Sequence, residues 1–371
     1  MKLGPALAAL AACGLCAGCP GPKKPGPSHI GGTASPARIT HVRAEVQPLG
    51  YIPNGGLQMP AASPDGRWVA YLDVAGPAVS PGALHTGEGL EGVSLHVCPA
   101  ERAAAAREIC AAGACWPCWS ADGRLAFLAY GAQGRCDVCV YDAQTRRTRR
   151  LGPGLGPLAM LAVSPDGSRA AVIATAKLPA PARLHLVDLE TGQVTPCPVG
   201  ADDEEHRWPF WTPDGRVLLL VRRRGQWSLA HWKPGGFGPE VLLPVPLGPT
   251  RLDLHQAFAG LARPVSPDGA RLAYYQASAD RIVLLDPRSR SRQPLPEGTR
   301  AGVWLDARTF VAVTDRELLL FPRPGAEPVG LLRGPWLPLA APPGQRCLLL
   351  CQPGRHPREF GLVRVTLLAA E

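Results

Sequence analysis

The stretches SPDGRWVAYLD (Ser63 to Asp73), SPDGSRAAVIA (Ser164 to Ala174) and SPDGARLAYYQ (Ser266 to Gln276) repeat one pattern: a tight polar turn, then a short apolar run. Two more copies read WSADGRLAFLAY (Trp119 to Tyr130) and WTPDGRVLLLVR (Trp211 to Arg222). Two degraded copies follow, WLDARTFVAVTD (Trp304 to Asp315) and APPGQRCLLLC (Ala341 to Cys351). The motif glycines, with Ala307 standing in once, fall at 66, 123, 167, 215, 269, 307 and 344, a period in the mid-forties. In the five clear copies Pro sets the first corner's φ, except where Ala121 replaces it. Asp65, Asp122, Asp166, Asp214 and Asp268 offer carboxylates to nearby backbone N–H groups. Gly66, Gly123, Gly167, Gly215 and Gly269 supply the left-handed residue. The run after each turn is apolar at consecutive positions, so both faces of that strand must be covered.

A second landmark trails the first. Asp142, Asp188 and Asp286 end apolar runs 19, 21 and 17 residues after the motif glycines at 123, 167 and 269. Each unit therefore reads as strand, Asp-Gly turn, buried strand, loop, strand ending in Asp, turn and outer strand. Four-stranded antiparallel units of this period, hidden on both faces, stack around an axis. The expected fold is an all-β propeller of seven four-stranded blades, or six if APPGQRC is not a true blade. The last unit lacks a fourth strand, and Arg38 to Val46 is expected to supply it and close the ring. High Gly and Pro, 42 of each, fit many turns joining short strands.

These units, SPDGRWVAYLD, SPDGSRAAVIA, WTPDGRVLLLV and SPDGARLAYYQ, each with a trailing hydrophobic-Asp turn, resemble the WD-like propeller repeats of TolB-type periplasmic proteins. Similar repeats form the propeller of prolyl oligopeptidases. The resemblance covers about residues 38 to 371 and implies a propeller that docks other proteins in a cell envelope.

The start of the chain, MKLGPALAALAACGLCAGC, has one Lys followed by small apolar residues and reads as a short export signal. It resembles a bacterial lipoprotein signal, with Cys19 as the lipid acceptor and Cys13 the alternative. The domain reading is thus a signal over 1–19, a Pro/Gly-rich tether over 20–37 and a propeller over 38–371. The formal charge of +9 is carried by clusters such as Arg146 to Arg150, which lack interleaved aromatics and read as solvated surface, so no nucleic-acid partner is expected.

The cysteines give the sharpest local pattern. Cys115 and Cys118, then Cys136 and Cys139, have the spacing of a four-thiolate zinc site. Cys136 and Cys139, however, point to opposite faces of a strand, and disulfides are the preferred reading in an exported chain. Cys98 and Cys110 bracket a hairpin and are expected to face each other. Nine cysteines follow Cys19, so at least one stays unpaired within a monomer. The acidic run Asp202 to His206 reads as a solvated loop, with cation chelation second.

No Gly-x-Ser-x-Gly elbow, His-Glu-x-x-His or phosphate-loop motif occurs. The expected function is a non-catalytic envelope lipoprotein, monomeric and without a cofactor. It would bind a protein, peptide or glycan on loops such as Ala75 to Gly92. The alternative is a propeller hydrolase or lyase with a site at the central channel.

Overall fold

The computed structural model describes residues 43–53, 58–75, 79, 89–131, 134–152, 154–156, 160–175, 180–200, 202–244, 258, 260–323, 325–342, 344–354, 356 and 358–368. Strand β1 (Arg43–Pro53) precedes the first repeat. Blade 1 holds β2 (Ala61–Ala62), β3 (Trp68–Val74), β4 (Val93–Pro99) and β5 (Arg107–Cys110). Blade 2 holds β6 (Ala114–Trp119), β7 (Arg124–Tyr130), β8 (Cys136–Asp142) and β9 (Arg147–Arg150). Blade 3 holds β10 (Met160–Val163), β11 (Arg169–Ala174), β12 (Arg183–Asp188) and β13 (Val194–Pro196). Blade 4 holds β14 (Glu205–Trp211), β15 (Val217–Arg223), β16 (Gln226–Trp232) and β17 (Glu240–Pro244). Blade 5 contains β18 (Leu261–Arg263), β19 (Leu272–Gln276), β20 (Arg281–Leu285) and β21 (Arg292–Pro294). Blade 6 contains β22 (Ala301–Trp304), β23 (Phe310–Val313), β24 (Glu317–Phe321) and β25 (Val329–Arg333). Blade 7 has β26 (Leu337–Ala340), β27 (Cys347–Pro353) and β28 (Glu359–Leu368), and β1 joins it as the outermost strand.

The consecutive apolar runs are explained by alternation between two cores. In β3, Val69 and Tyr71 enter the core shared with blade 7, while Ala70 and Leu72 enter the core shared with blade 2. In β11, Ala170 and Val172 turn one way and Ala171 and Ile173 the other. In β23, Phe310 and Ala312 part from Val311 and Val313 in the same manner. Each second strand is thus half of two interfaces, and none of these faces meets water.

The turns rest on a group that the Asp-Gly reading left out. Ser63, Ser120, Ser164, Thr212 and Ser266 are buried, and each hydroxyl donates to the Asp two residues on. Each also accepts a backbone N–H from the start of the following strand, as Trp68 N–H does to Ser63 Oγ at 3.0 Å. The five glycines sit at φ between 70° and 83°, the left-handed region that Gly occupies without a Cβ clash. Hydrogen bonds from Ser164 to Asp166 and from Thr212 to Asp214 lead in holding those carboxyls below their usual range. The second set of turns works by Asx geometry: Asp142, Asp188 and Asp286 each accept N–H groups two and three residues ahead.

Neighbouring blades are pinned by Trp at the end of the innermost strand. Trp119, Trp211 and Trp304 each donate their indole N–H, at 3.0 Å, to a carbonyl of the preceding blade: Ala61, Ala162 and Pro264. Closure is as expected in kind and shifted in place. β1 pairs antiparallel with β28 from Arg43↔Leu368 to Pro53↔Glu359, so the closing strand runs beyond Val46, and residues 38–42 lie outside the described residues.

Blade 5 departs from the pattern. Its innermost strand, β18, pairs in parallel with β22 of blade 6, leaving three antiparallel strands joined through β19, β20 and β21. Pro264 has no N–H to continue the ladder. Gly260 lets the two chains meet, since a Cβ there would lie 2.3 Å from the Arg300 carbonyl oxygen. The bridge Val265↔Leu272, the bond from Ala273 N–H to Pro264 O at 2.8 Å and that from Ser266 N–H to Arg271 O at 3.0 Å tie this segment to its own blade.

Ile52 on the closing strand is 1% exposed. Ile52→Ala is expected to lower the unfolding free energy by about 3 kcal/mol, measured by denaturant unfolding; a change near zero would show that β1 is not part of the core.

Candidate functional site

The two ends of the axis differ. At one end the Asp-Gly turns touch one another. Pro342 of blade 7 lies 3.0 Å from where a Cβ on Gly66 would stand, and Pro213 holds the same place against Gly269. Arg124 donates to the Gly167 carbonyl at 3.1 Å, and Arg271 to the Ala307 carbonyl at 2.9 Å. The connections that follow β3 and β17 leave from the opposite end. Most of the Ala75 to Gly92 loop, with His85, and residues 245–257, with His255, lie outside the described residues.

Four aromatic side chains meet inside the ring. Trp116 of β6 stands edge-on to Trp208 of β14, ring centroids 5.7 Å apart. Trp208 also meets Phe210 at 6.3 Å and Phe258 at 5.6 Å, and Phe210 meets Phe258 at 4.8 Å. Blades 2 and 4 are not neighbours in the ring, so innermost-strand residues from both can touch only in the axial space.

Local backbone geometry makes this contact. Trp116 and Trp208 have φ of 54° and 49°, left-handed values that cost a bulky residue about 1–3 kcal/mol. Each precedes a Pro, Pro117 and Pro209, which lacks an N–H. The ladders are bulged there, between Cys115 and Cys118 and between Arg207 and Phe210. The N–H freed at each Trp is taken up by the preceding blade: Gln58 Oε1 accepts from Trp116 at 3.0 Å and Met160 Sδ from Trp208 at 3.3 Å. The signal was present in the sequence as CWPCWSADG and RWPFWTPDG, a Trp-Pro-x-Trp element just ahead of the turn in blades 2 and 4. On the innermost strand of blade 5, Arg263 is half-buried and makes no ion pair or side-chain hydrogen bond among the described residues, and burial lowers its pKa.

The acidic run 202–206 is not the solvated loop expected from its charge. Asp202 and Asp203 are exposed, but Glu204, Glu205 and His206 are buried where β14 begins. His206 Nε2 is 2.7 Å from Glu204 Oε1, and its Nδ1 accepts Leu184 N–H at 3.0 Å, so the ring's proton lies toward Glu204. Arg223 Nε completes Glu204 at 2.7 Å, while Arg207 and Arg222 hold Glu205. Every buried charge has a partner, and the cluster ties blade 3 to blade 4. His185 lies near it with its pKa lowered, by burial first and then by His206.

The cysteines stand apart from the expected pairs. Cys98 lies opposite Val69 and Cys110 opposite Leu95, three residues along β4 and roughly 10 Å away, so they do not face each other. All nine described cysteines are free thiols, and burial pushes Cys98, Cys136, Cys139 and Cys197 up to about 12. Cys115, Cys118, Cys136 and Cys139 do not converge. Among the described residues no group of three or more His, Cys, Asp or Glu is placed to hold a metal. Cys118 faces blade 3, where Val163 N–H reaches its sulfur, while Cys136 donates to Gly156. The lipid acceptors Cys19 and Cys13 lie outside the described residues.

The comparisons bear on the fold. No family model matches the sequence, and no curated protein matches it. Solved structures do. A chain of the mitotic checkpoint complex superposes with TM-score 0.56 at 14% identity, over 95% of this chain and all of that one. The propeller domain of Cps50 (Swd1) from Myceliophteria thermophila gives 0.52 at 13%, over 88% and 100%. The propeller of the Trilobed protease from Pyrococcus furiosus gives 0.52 at 14%, over 80% and 90%. The fold is a seven-bladed β-propeller. TolB from Acinetobacter baumannii gives 0.46 at 15% identity over 82% of this chain, which spans 64% of TolB.

Burial alone would raise the Glu204 carboxyl; hydrogen bonds from His206 and Arg223, with the charge of Arg223, outweigh it and hold the group down to about 2. A depressed folded pKa contributes stability above the ordinary Glu value and loses it as pH falls toward 2. The share carried by Glu204 is about 3 kcal/mol between about pH 5 and pH 2. Glu204→Gln is expected to flatten the fall of stability over that window in acid unfolding; an unchanged slope would remove Glu204 from the account.

Proposed function

We propose that this protein is an exported propeller, anchored to a cell-envelope membrane by a lipid on Cys19, which binds a protein, peptide or glycan on the long-loop face over its aromatic axis. The observation that carries the binding part is the cluster of Trp116, Trp208, Phe210 and Phe258, assembled from separate blades with Trp116 and Trp208 on left-handed backbone. Strain held in place by surrounding structure is a mark of functional positions. Trp208 and Phe258 are buried, and the half-buried Trp116 and Phe210 offer stacking and apolar burial, the means by which aromatics hold sugar rings and peptide side chains. These groups supply neither nucleophile nor general base, so the reading is of recognition and not turnover. Anchoring rests on the sequence alone, on the small-residue run ahead of Cys19.

The test has two arms. Cys19→Ala is expected to move the protein from the membrane to the soluble envelope fraction; full retention on the membrane by this variant and by Cys13→Ala contradicts lipid anchoring. A ligand captured by crosslinking in the native envelope is expected to bind the purified protein and to lose about tenfold in affinity with Phe210→Ala, as for a central aromatic contact. Affinity untouched by that change, or chemical turnover of the captured ligand, contradicts the binding reading.

A further inference from the structure

The stretch CPAERAAAAREIC, read from sequence as a hairpin, builds something the axis does not use. Its connection from β4 to β5 spans residues 100–106 and includes a single 3-10 turn, Ala103–Ala105, with Ala103 buried. Beside it, blades 1 and 2 part to leave a cavity of about 130 Å³, walled by Trp68, Val97 and Tyr141 and rimmed by Arg102, Arg107 and Arg146.

Register explains the composition. Trp68 lies opposite Pro99 and Val97 opposite Arg107, so these side chains share one face of blade 1. That face packs on blade 2, since Ala70, Leu72 and Val97 enter one core with Leu125, Phe127 and Tyr141. The apolar walls are therefore the margin of a blade interface, Val97 and Tyr141 buried and Trp68 half-buried. Arg107 opens the outer strand of blade 1, and Arg146 ends the turn of blade 2 that faces it.

The charge is not neutralised. None of the three arginines makes an ion pair or a side-chain hydrogen bond among the described residues, although their neighbours do. Arg149 pairs with Glu190 and Arg150 with Asp137. The nearby acids are already engaged: Glu101 with Arg364 at 3.0 Å, and Asp142 with the N–H groups of Gln144 and Thr145. Glu108, paired with His96, is one residue on from Arg107 and so points to the opposite face of the sheet. Arg107 and Arg146 both lie within electrostatic reach of the Tyr141 hydroxyl, and both line the cavity with it.

We propose that this cleft binds an anionic group, phosphate or carboxylate, carried on an apolar ring or chain. The arginines hold the charge, and Trp68, Val97 and Tyr141 hold the apolar body. Guanidinium forks suit both anions, and the cavity is wide enough for one such group with part of a ring. The site lies off the axis, so it stands or falls separately from recognition on the loop face.

Phenyl phosphate, benzoate and benzyl alcohol, titrated into the purified protein by calorimetry, test this. Both anions are expected to bind and the alcohol not. Arg107→Ala and Arg146→Ala should each weaken the anions about tenfold, and Arg216→Ala, at an exposed turn elsewhere, should leave them unchanged. A Trp fluorescence change on binding should vanish in Trp68→Phe while the calorimetric affinity remains, which locates the ligand without a loss of fold. Absence of binding by both anions overturns the proposal. So does equal weakening by all three arginine changes, which would mark a general surface charge effect.

Discussion

A strand that hides both faces needs a neighbour on each side, and that requirement governs this protein. Val69 and Tyr71 look into one core while Ala70 and Leu72 look into the next. A linear stack of such sheets would leave its two end sheets with apolar faces in water. Bending the stack into a ring removes the ends, provided the last sheet meets the first. β1 on β28 supplies that join, and it places Ile52 in the same core as Val69, Leu348 and Phe360.

The repeated turns make the ring regular. A buried hydroxyl at Ser63, Ser120, Ser164, Thr212 or Ser266 joins the turn carboxylate to the backbone of the second strand, so each hydroxyl is used both as donor and as acceptor. Trp119, Trp211 and Trp304 then fix the step to the preceding blade. Where the step is made differently, at Pro264, the innermost strand leans onto the next blade. The axis inherits this order. Bulges at Trp116 and Trp208 can aim side chains inward because the rest of each sheet is held fixed.

The architecture was legible because it is written in periodic features: turn residues at fixed offsets and runs that ignore alternation. The site was less so. DDEEH carries charge that local reading assigns to solvent, yet Glu204 and His206 are paired by Arg223 and Leu184, which come from distant strands. Cys98 and Cys110 bracket a hairpin in sequence, but a register shift between Leu95 and His96 and a seven-residue connection set them apart. The axial cluster joins residues from position 116 to 258, a separation at which no sequence period speaks. The arginine cleft was hidden for a similar reason: the clusters of Arg were visible, and which of them lacked an acid was not.

The closing strand is the most direct point of test. Native-state hydrogen exchange on the amides of β1 and β28 that bond to each other should give the same opening free energy as the central strands β11 and β15, the value for global unfolding. Exchange of β1 at the rate of a frayed terminus, with β11 still protected, would mean that the ring stands without its latch and that closure is not what stabilises it.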